Sequence, residues 1–191
     1  MRILVISDSH GKGMVNILRS QGVEARFMSI IKGRPLLGIR KRYRASLQRI
    51  RRFSPDKIVM GHNDMVRHHM YNPEPKFITC VVRMVIEFAV EILSSFPSSE
   101  LYISSLLPRV AGSGLSAEGA KKYNRLAKRF GEHMLTQSKK LRCFTPILIR
   151  GLWGRISLYE AMSGAFRRDG LHLNKIGRDI LAESWVSTMI T

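Results

Sequence analysis

The chain has 191 residues, 45% of them hydrophobic, which is enough to bury a sizeable core and excludes a disordered or fibrous protein. Its 32 Lys and Arg against 14 Asp and Glu give a formal charge of +18 at pH 7, a field that favours phosphates, nucleic acid or anionic lipid headgroups as neighbours. The longest apolar stretch, Phe77 to Phe96, is broken by Arg83, Glu87 and Glu91 and so reads as a helix with a wide apolar face, not a membrane span.

The chain opens on Ile3-Leu4-Val5-Ile6, a short buried strand that breaks at once into Ser7-Asp8-Ser9-His10-Gly11. A helix is expected from about Gly11 to Gln21, with Met14, Val15, Ile17 and Leu18 on one face and Gly22 as its stop. Val23 to Ile31 reads as a second strand and Lys32-Gly33-Arg34-Pro35 as a loop. Gly38 to Phe53 is a basic helix whose buried stripe is Ile39, Tyr43, Leu47 and Ile50. Asp56 to Met60 is a third strand, running into Gly61-His62-Asn63-Asp64 and a long polar loop. A helix over about Phe77 to Ser95 follows, then a fourth strand over Leu101 to Leu107, halted by Pro108-Arg109. Val110 to Ser116 is a Gly/Ser-rich loop. A helix runs from Ser116 to about Lys139, a fifth strand from Arg142 to Ile149, and Gly151 to Arg168 is loop with at most one helical turn. Asn174 caps a last helix ending near Thr188.

Strands alternating with helices imply a parallel sheet covered on both faces, and with no repeat or linker we expect one three-layer α/β domain over residues 1–191. Ligands in such folds sit at the carboxyl ends of the strands. That edge collects Ser9, the loop around Gly33, Asn63 and the loop Asp169-Gly170-Leu171-His172. A serine at a strand-to-helix turn is a candidate nucleophile; the neutral alternative is a helix cap. An Asp three residues ahead of a His reaches the imidazole within one turn, fixing its tautomer and stabilising the imidazolium. His172 would then take the Ser9 proton, and the Ser9 amide, the Gly33 amide and the Asn63 side-chain amide would hold the developing oxyanion.

Three blocks carry a resemblance: Asp8-Ser9 after the first strand, Gly61-His62-Asn63-Asp64 after the third, and Asp169-Gly170-Leu171-His172 before the last helix. In order and spacing they resemble blocks I, III and V of the SGNH (GDSL-type) hydrolases, and Leu106-Leu107-Pro108-Arg109 is also similar to that family. The resemblance implies an esterase or acyl hydrolase with a flavodoxin-like, five-stranded parallel sheet in the order 2-1-3-4-5. It assigns Ser9 as nucleophile, His172 as base, Asp169 as its orienter, and Gly33 and Asn63 as oxyanion donors beside the Ser9 amide. This chain departs from the pattern in having Ser7 where the family usually has Gly, and Gly38 rivals Gly33 as the second-block glycine. The Asp-Gly-Leu-His-Leu-Asn ending and the basic charge further resemble the esterase domains in open reading frame 1 proteins of some LINE retrotransposons. The substrate so implied is a small ester, an acetyl group on a sugar or lipid, with no metal or organic cofactor.

From Ala25 to Pro55 there are ten Lys or Arg and no acid. Arg40, Lys41, Arg42, Arg44, Arg49, Arg51 and Arg52 of the basic helix therefore form either a solvated face or a binding surface for nucleic acid or an anionic membrane. Such a module on a decayed hydrolase scaffold is the alternative to an enzyme, and an oligomer formed through further domains is a further partner to expect. His10, His62, His68 and His69 lack a carboxylate or Cys at ligand spacing, so no metal site is expected. Cys80 and Cys143, in apolar sequence surroundings, are expected as two buried free thiols, which points to a reducing compartment. The amino terminus lacks the basic, apolar, small-residue order of a secretory leader, and an intracellular location follows as the expectation.

Overall fold

A computed structural model describes residues 1–7, 9–29, 36–61, 75–153 and 164–190. The elements follow in the order β1 (Arg2–Ser7), α1 (Ser9–Ser20), β2 (Glu24–Ser29), α2 (Leu36–Phe53), β3 (Lys57–Met60), α3 (Pro75–Ser95), β4 (Glu100–Ser104), α4 (Ala117–Leu141), β5 (Thr145–Ile147), α5 (Arg150–Trp153) and α6 (Lys175–Met189). The strands form one parallel sheet in the order β2-β1-β3-β4-β5, the expected 2-1-3-4-5.

Strand alternation sorts the core into two layers. Leu4, Ile58 and Leu101 lie in register across β1, β3 and β4, as do Ile6, Met60 and Ile103. All six belong to the layer that also holds Tyr43 and Ile50 of α2, Val85 and Phe88 of α3, and Tyr123 and Phe130 of α4. Val5, Val59 and Tyr102 face the other way, with Met14 and Leu18 of α1 and Leu181 and Trp185 of α6. Connection handedness dictates this split. The step from β1 to β2 runs one way along the sheet, and the steps to β3, β4 and β5 run the other. Right-handed crossovers therefore require α1 on one face and α2, α3 and α4 on the opposite one.

The helix ends are set by local chemistry. Gly22 is left-handed at φ 76° just past α1. Ser116 caps α4, its Oγ accepting from the Gly119 amide at 3.1 Å, and Asn174 caps α6 by accepting from the Gly177 amide at 3.1 Å.

The structure corrects several boundaries. α1 begins at Ser9, not Gly11, because the turn out of β1 is already helical there. β4 stops at Ser104: Leu106, Leu107 and Val110 stay buried, but the chain leaves the sheet ahead of Pro108, which has no amide to donate. β5 covers only Thr145–Ile147, because α4 runs on to Leu141 and Arg142 closes it in the left-handed region at φ 52°. The expectation of two buried thiols fails. Cys80 is exposed and Cys143 half-buried, since Val81, Val82 and Val85 take the inward positions of α3. No helix among the described residues is long and apolar enough to cross a membrane.

Ser7, the departure from the family pattern, is accommodated by two glycines. A Cβ on Gly11 would lie 2.4 Å from the Ser7 Cβ, and one on Gly61 would lie 2.6 Å from the Ser7 Oγ. α1 and the end of β3 thus close directly onto the Ser7 side chain. Alanine normally stabilises a helix interior over glycine by about 1 kcal/mol, so Gly11→Ala is diagnostic. We expect it to lower stability by about 1–3 kcal/mol through overpacking, read as a lower urea midpoint, and we expect Ser7→Gly in the same chain to restore most of the loss. Strict additivity of the two substitutions would show that the contact is not the cause.

Candidate functional site

The sheet order reverses between β1 and β3, and the crevice outside their carboxyl ends is where a doubly wound fold receives a ligand. Its floor is defined by Ser7 of β1, Gly11 of α1, Gly61 just past β3, Ser104 of β4 and Trp185 of α6. Ser7 fills the space between Gly11 and Gly61. Trp185 of α6 lies 3.6 Å from where a Gly61 Cβ would stand, and its indole N–H donates to the Ser104 Oγ at 3.2 Å. The main chain of Ser9 opens α1 on this floor, with its amide in the helix's first turn, where amides lack intrahelical partners.

The loop ahead of α6 is built around one carboxylate. Asp169 Oδ1 accepts the amides of Leu171 and His172, each at 2.9 Å, and its Oδ2 lies 2.5 Å from His172 Nδ1. Gly170, at φ 68°, makes the turn that lets the carboxylate reach both main chain and ring. The Arg167 amide closes the loop by donating to the His172 carbonyl at 2.7 Å. Partial burial pushes the Asp169 carboxyl up. The hydrogen bonds from the His172 amide, the imidazole and the Leu171 amide outweigh it and hold the group well below the usual carboxylate range. The carboxylate therefore fixes Nδ1 as the protonated nitrogen and leaves Nε2 free to take a proton.

A second loop, Pro108 to Leu115, supports the first. The Val110 amide donates to the Gly170 carbonyl at 3.2 Å and the Ser113 amide to the Arg168 carbonyl at 3.1 Å. The backbones approach so closely that a Cβ on Gly170 would lie 2.1 Å from the Val110 carbonyl oxygen, and one on Gly112 would lie 2.5 Å from that of Arg168. Arg109 runs beneath. It is 5% exposed, its guanidinium donates to the Leu171 carbonyl at 2.5 Å, and it lies 5.3 Å from the Tyr123 ring centroid. Asn124 of α4 clamps the Arg109 main chain from both sides, accepting its amide at 2.8 Å and donating to its carbonyl at 2.9 Å.

Of the residues singled out in the sequence, Asp169 and His172 are in direct contact. His10, next to Ser9, brings its ring centroid within 5.8 Å of the His172 ring and so sets the start of α1 beside the imidazole. For Ser9 the main chain alone is described. Asp8, Gly33, Asn63 and Asp64 lie outside the described residues, as do His62, His68 and His69. Gly38, the rival to Gly33, falls in the first turn of α2. Among the described residues there is no cluster of His, Cys, Asp and Glu that would hold a metal. On α2, Arg40 and Arg44 are paired with Glu91 of α3 at 2.8 and 2.5 Å, while Lys41, Arg42, Arg49, Arg51 and Arg52 are exposed. Sequence reasoning missed the Arg109–Asn124 support; its only trace was the Leu-Leu-Pro-Arg similarity.

No family model matches the chain, and no curated protein matches it. Solved structures do. A GDSL-like lipase from Bacteroides thetaiotaomicron is 14% identical, with a TM-score of 0.69 over 98% of this chain and 86% of that one. An acetyl xylan esterase is 15% identical, with a TM-score of 0.63 over 99% of this chain and all of the other. A family 3 carbohydrate esterase from Clostridium thermocellum is 16% identical, with a TM-score of 0.56 over 98% and 94%. At such identities the likeness is one of fold, and that fold is the α/β/α architecture of the SGNH hydrolases.

Proposed function

We propose that this chain is a serine ester hydrolase of SGNH type, working through an acyl-enzyme on Ser9. The observation that carries the reading is the hydrogen-bonded Asp169–His172 pair, set at the carboxyl edge of the sheet beside the first turn of α1. The Ser9 oxygen attacks the ester carbonyl carbon while His172 Nε2 takes its proton, and Asp169 stabilises the imidazolium through Nδ1–H. The oxyanion is held by the Ser9 amide, the Gly33 amide, with Gly38 as its rival, and the Asn63 side-chain amide, each contributing about 3 kcal/mol. Collapse expels the alcohol, which receives the proton from His172. Water, activated by the same imidazole, then releases the acid and restores Ser9.

The acyl group in this reading is acetyl and the alcohol a sugar or lipid hydroxyl; the shared fold of an acetyl xylan esterase and a carbohydrate esterase supports it. The Asp-Gly-Leu-His-Leu-Asn ending, together with the charge of +18, supports a setting like that of the LINE open reading frame 1 esterase domains, in company with nucleic acid.

With 4-nitrophenyl acetate as substrate, Ser9→Ala abolishes turnover and leaves the circular dichroism spectrum and melting temperature unchanged; unchanged turnover would remove Ser9 from the mechanism. Asp169→Asn lowers kcat on the order of 10³- to 10⁴-fold, the loss expected when the imidazole is left in the wrong tautomer. The pH dependence has a definite sign. A carboxyl held low in the folded state stabilises above its unfolded pKa of about 4, and that contribution fades as pH falls toward the folded value. The melting temperatures of wild type and Asp169→Asn should therefore differ by a nearly constant amount from pH 6 down to about pH 4 and converge progressively only as the pH is lowered further. A gap that stays constant well below about pH 4, in variants still folded there, would show that the carboxylate's charge is not what stabilises the loop.

A further inference from the structure

The edge strand β2 carries a groove of about 340 Å³ whose polar lining is entirely arginine: Arg19 from α1, Arg26 from β2 and Arg49 from α2. Leu4, Met28, Ile50 and Phe53 are buried beneath it, and the half-buried Phe27 completes the lining. None of the three arginines makes an ion pair with a described residue. Two are nonetheless held in place. Arg19 donates its Nε–H to the Ala25 carbonyl at 2.9 Å, and the Arg26 guanidinium stacks 4.5 Å from the Phe53 ring centroid. The nearest acid along the strand, Glu24, does not line the groove. On α2, Arg42, Arg49 and Arg52 recur at spacings of seven and three, which places them on one side of the helix and carries the cationic stripe beyond the groove.

We propose that this groove binds the phosphodiester backbone of a single nucleic-acid strand, at a site separate from the crevice that holds His172. Guanidinium forks match phosphate oxygens two at a time, and two of the three forks are pre-set, so little side-chain freedom is lost on binding. The site does not suit a bilayer. Four of its five apolar lining residues are buried and the fifth, Phe27, is half-buried, while the large hydrophobic side chains that do stand out among the described residues, Met1, Val90, Leu141, Ile176 and Ile190, do not line it. Nor is it a generic property of α2, whose Arg40 and Arg44 share Glu91 as an ion-pair partner.

The test is fluorescence anisotropy of labelled twenty-nucleotide strands, oligo(U) RNA and oligo(dT) DNA, against the whole chain at several KCl concentrations. We expect binding whose log–log salt slope is about −3.5, five phosphates neutralised on a single strand. Replacing Arg19, Arg26 and Arg49 together by Gln should weaken binding at least tenfold and make the slope shallower by about 2. Arg49→Glu alone, at an exposed position without an ion pair, should weaken binding while leaving the melting temperature unchanged, which keeps the result readable if the triple variant folds poorly. Removing equal charge from α4, by Lys121→Gln, Arg125→Gln and Lys128→Gln, should have little effect. An equal loss from the two triple variants would overturn the site in favour of diffuse net charge. No binding to either strand, or preferential binding to phosphatidylserine vesicles that the groove variants abolish, would overturn it as well. Equal affinity for RNA and DNA supports recognition of phosphate alone, and a preference for RNA adds a contact to the 2′-hydroxyl.

Discussion

The direction in which a parallel sheet is built governs everything else in this molecule. A β-α-β connection is right-handed, so the face its helix covers depends on which way the chain steps along the sheet. Here the chain steps from β1 to β2 and then turns back past β1 to β3. The helices after β1 and β2 must lie on opposite faces, and they part where β1 and β3 end. No residue chemistry is needed to open that crevice; it is left over from the winding. What the sequence supplies is a floor tight enough to be useful. Gly11 and Gly61 meet Ser7 there at separations that leave no space for another carbon, with Trp185 packed alongside. The first turn of α1 is held against the end of β3 as a consequence.

The loop of Asp169 and His172 hangs over this floor, and its rigidity comes from a division of labour. The carboxylate spends one oxygen on two amides and the other on the imidazole, so the atom that orients the ring is itself oriented by the backbone. A side chain fixed only by its ring partner would swing with it. The loop's outer edge is carried by the Pro108–Leu115 segment, and that segment is carried by Asn124 and the buried Arg109 guanidinium. Arg109 is a cation set against a carbonyl oxygen and an aromatic face, with no carboxylate as a described partner. The carbonyl dipole and the ring face offset part of its charge, while its Nε is buried without a partner among the described residues.

Much of this was legible in the amino-acid order, for reasons that differ from one element to the next. The strands were readable because Ile3 to Ile6 and Ile58 to Met60 are buried on both faces, and a run of apolar residues between turn signals has few other homes. α4 and α6 were readable because Ser116 and Asn174 are caps. The Asp169–His172 contact was readable because it is local: three residues and one turn suffice. What the sequence hid is what depends on contacts far apart in the chain. Leu106 and Leu107 look like strand, yet they lie past the end of β4 and are buried in the two core layers without pairing in the sheet. Cys80 sits among apolar neighbours in sequence, but a helix turns every residue by about 100°, and its neighbours took the inward side. Nothing in the sequence around Arg109 announces its burial; the fold brings it against the Tyr123 ring and the Leu171 carbonyl.

The charge shows the same gap between composition and placement. A count of +18 says that cations outnumber anions but not where the excess stands. The acids of α3 engage part of the basic helix beside them: Glu91 pairs with Arg40 and Arg44, and Glu87 also reaches Arg40. These pairs bind the middle helix to its neighbour, and being partly exposed they contribute little individually to stability. Their larger effect is on the field. With the charge of the seam between α2 and α3 largely offset, the arginines without an acidic partner among the described residues are left on the outer side of α2 and along β2, where the sheet ends and Arg19 covers the open carbonyl of Ala25. A cation at that edge blocks another strand from pairing with β2 and, by the same placement, offers a phosphate its first contact. Because that edge is one strand removed from the β1–β3 crevice, an anion seated there leaves the approach to His172 open.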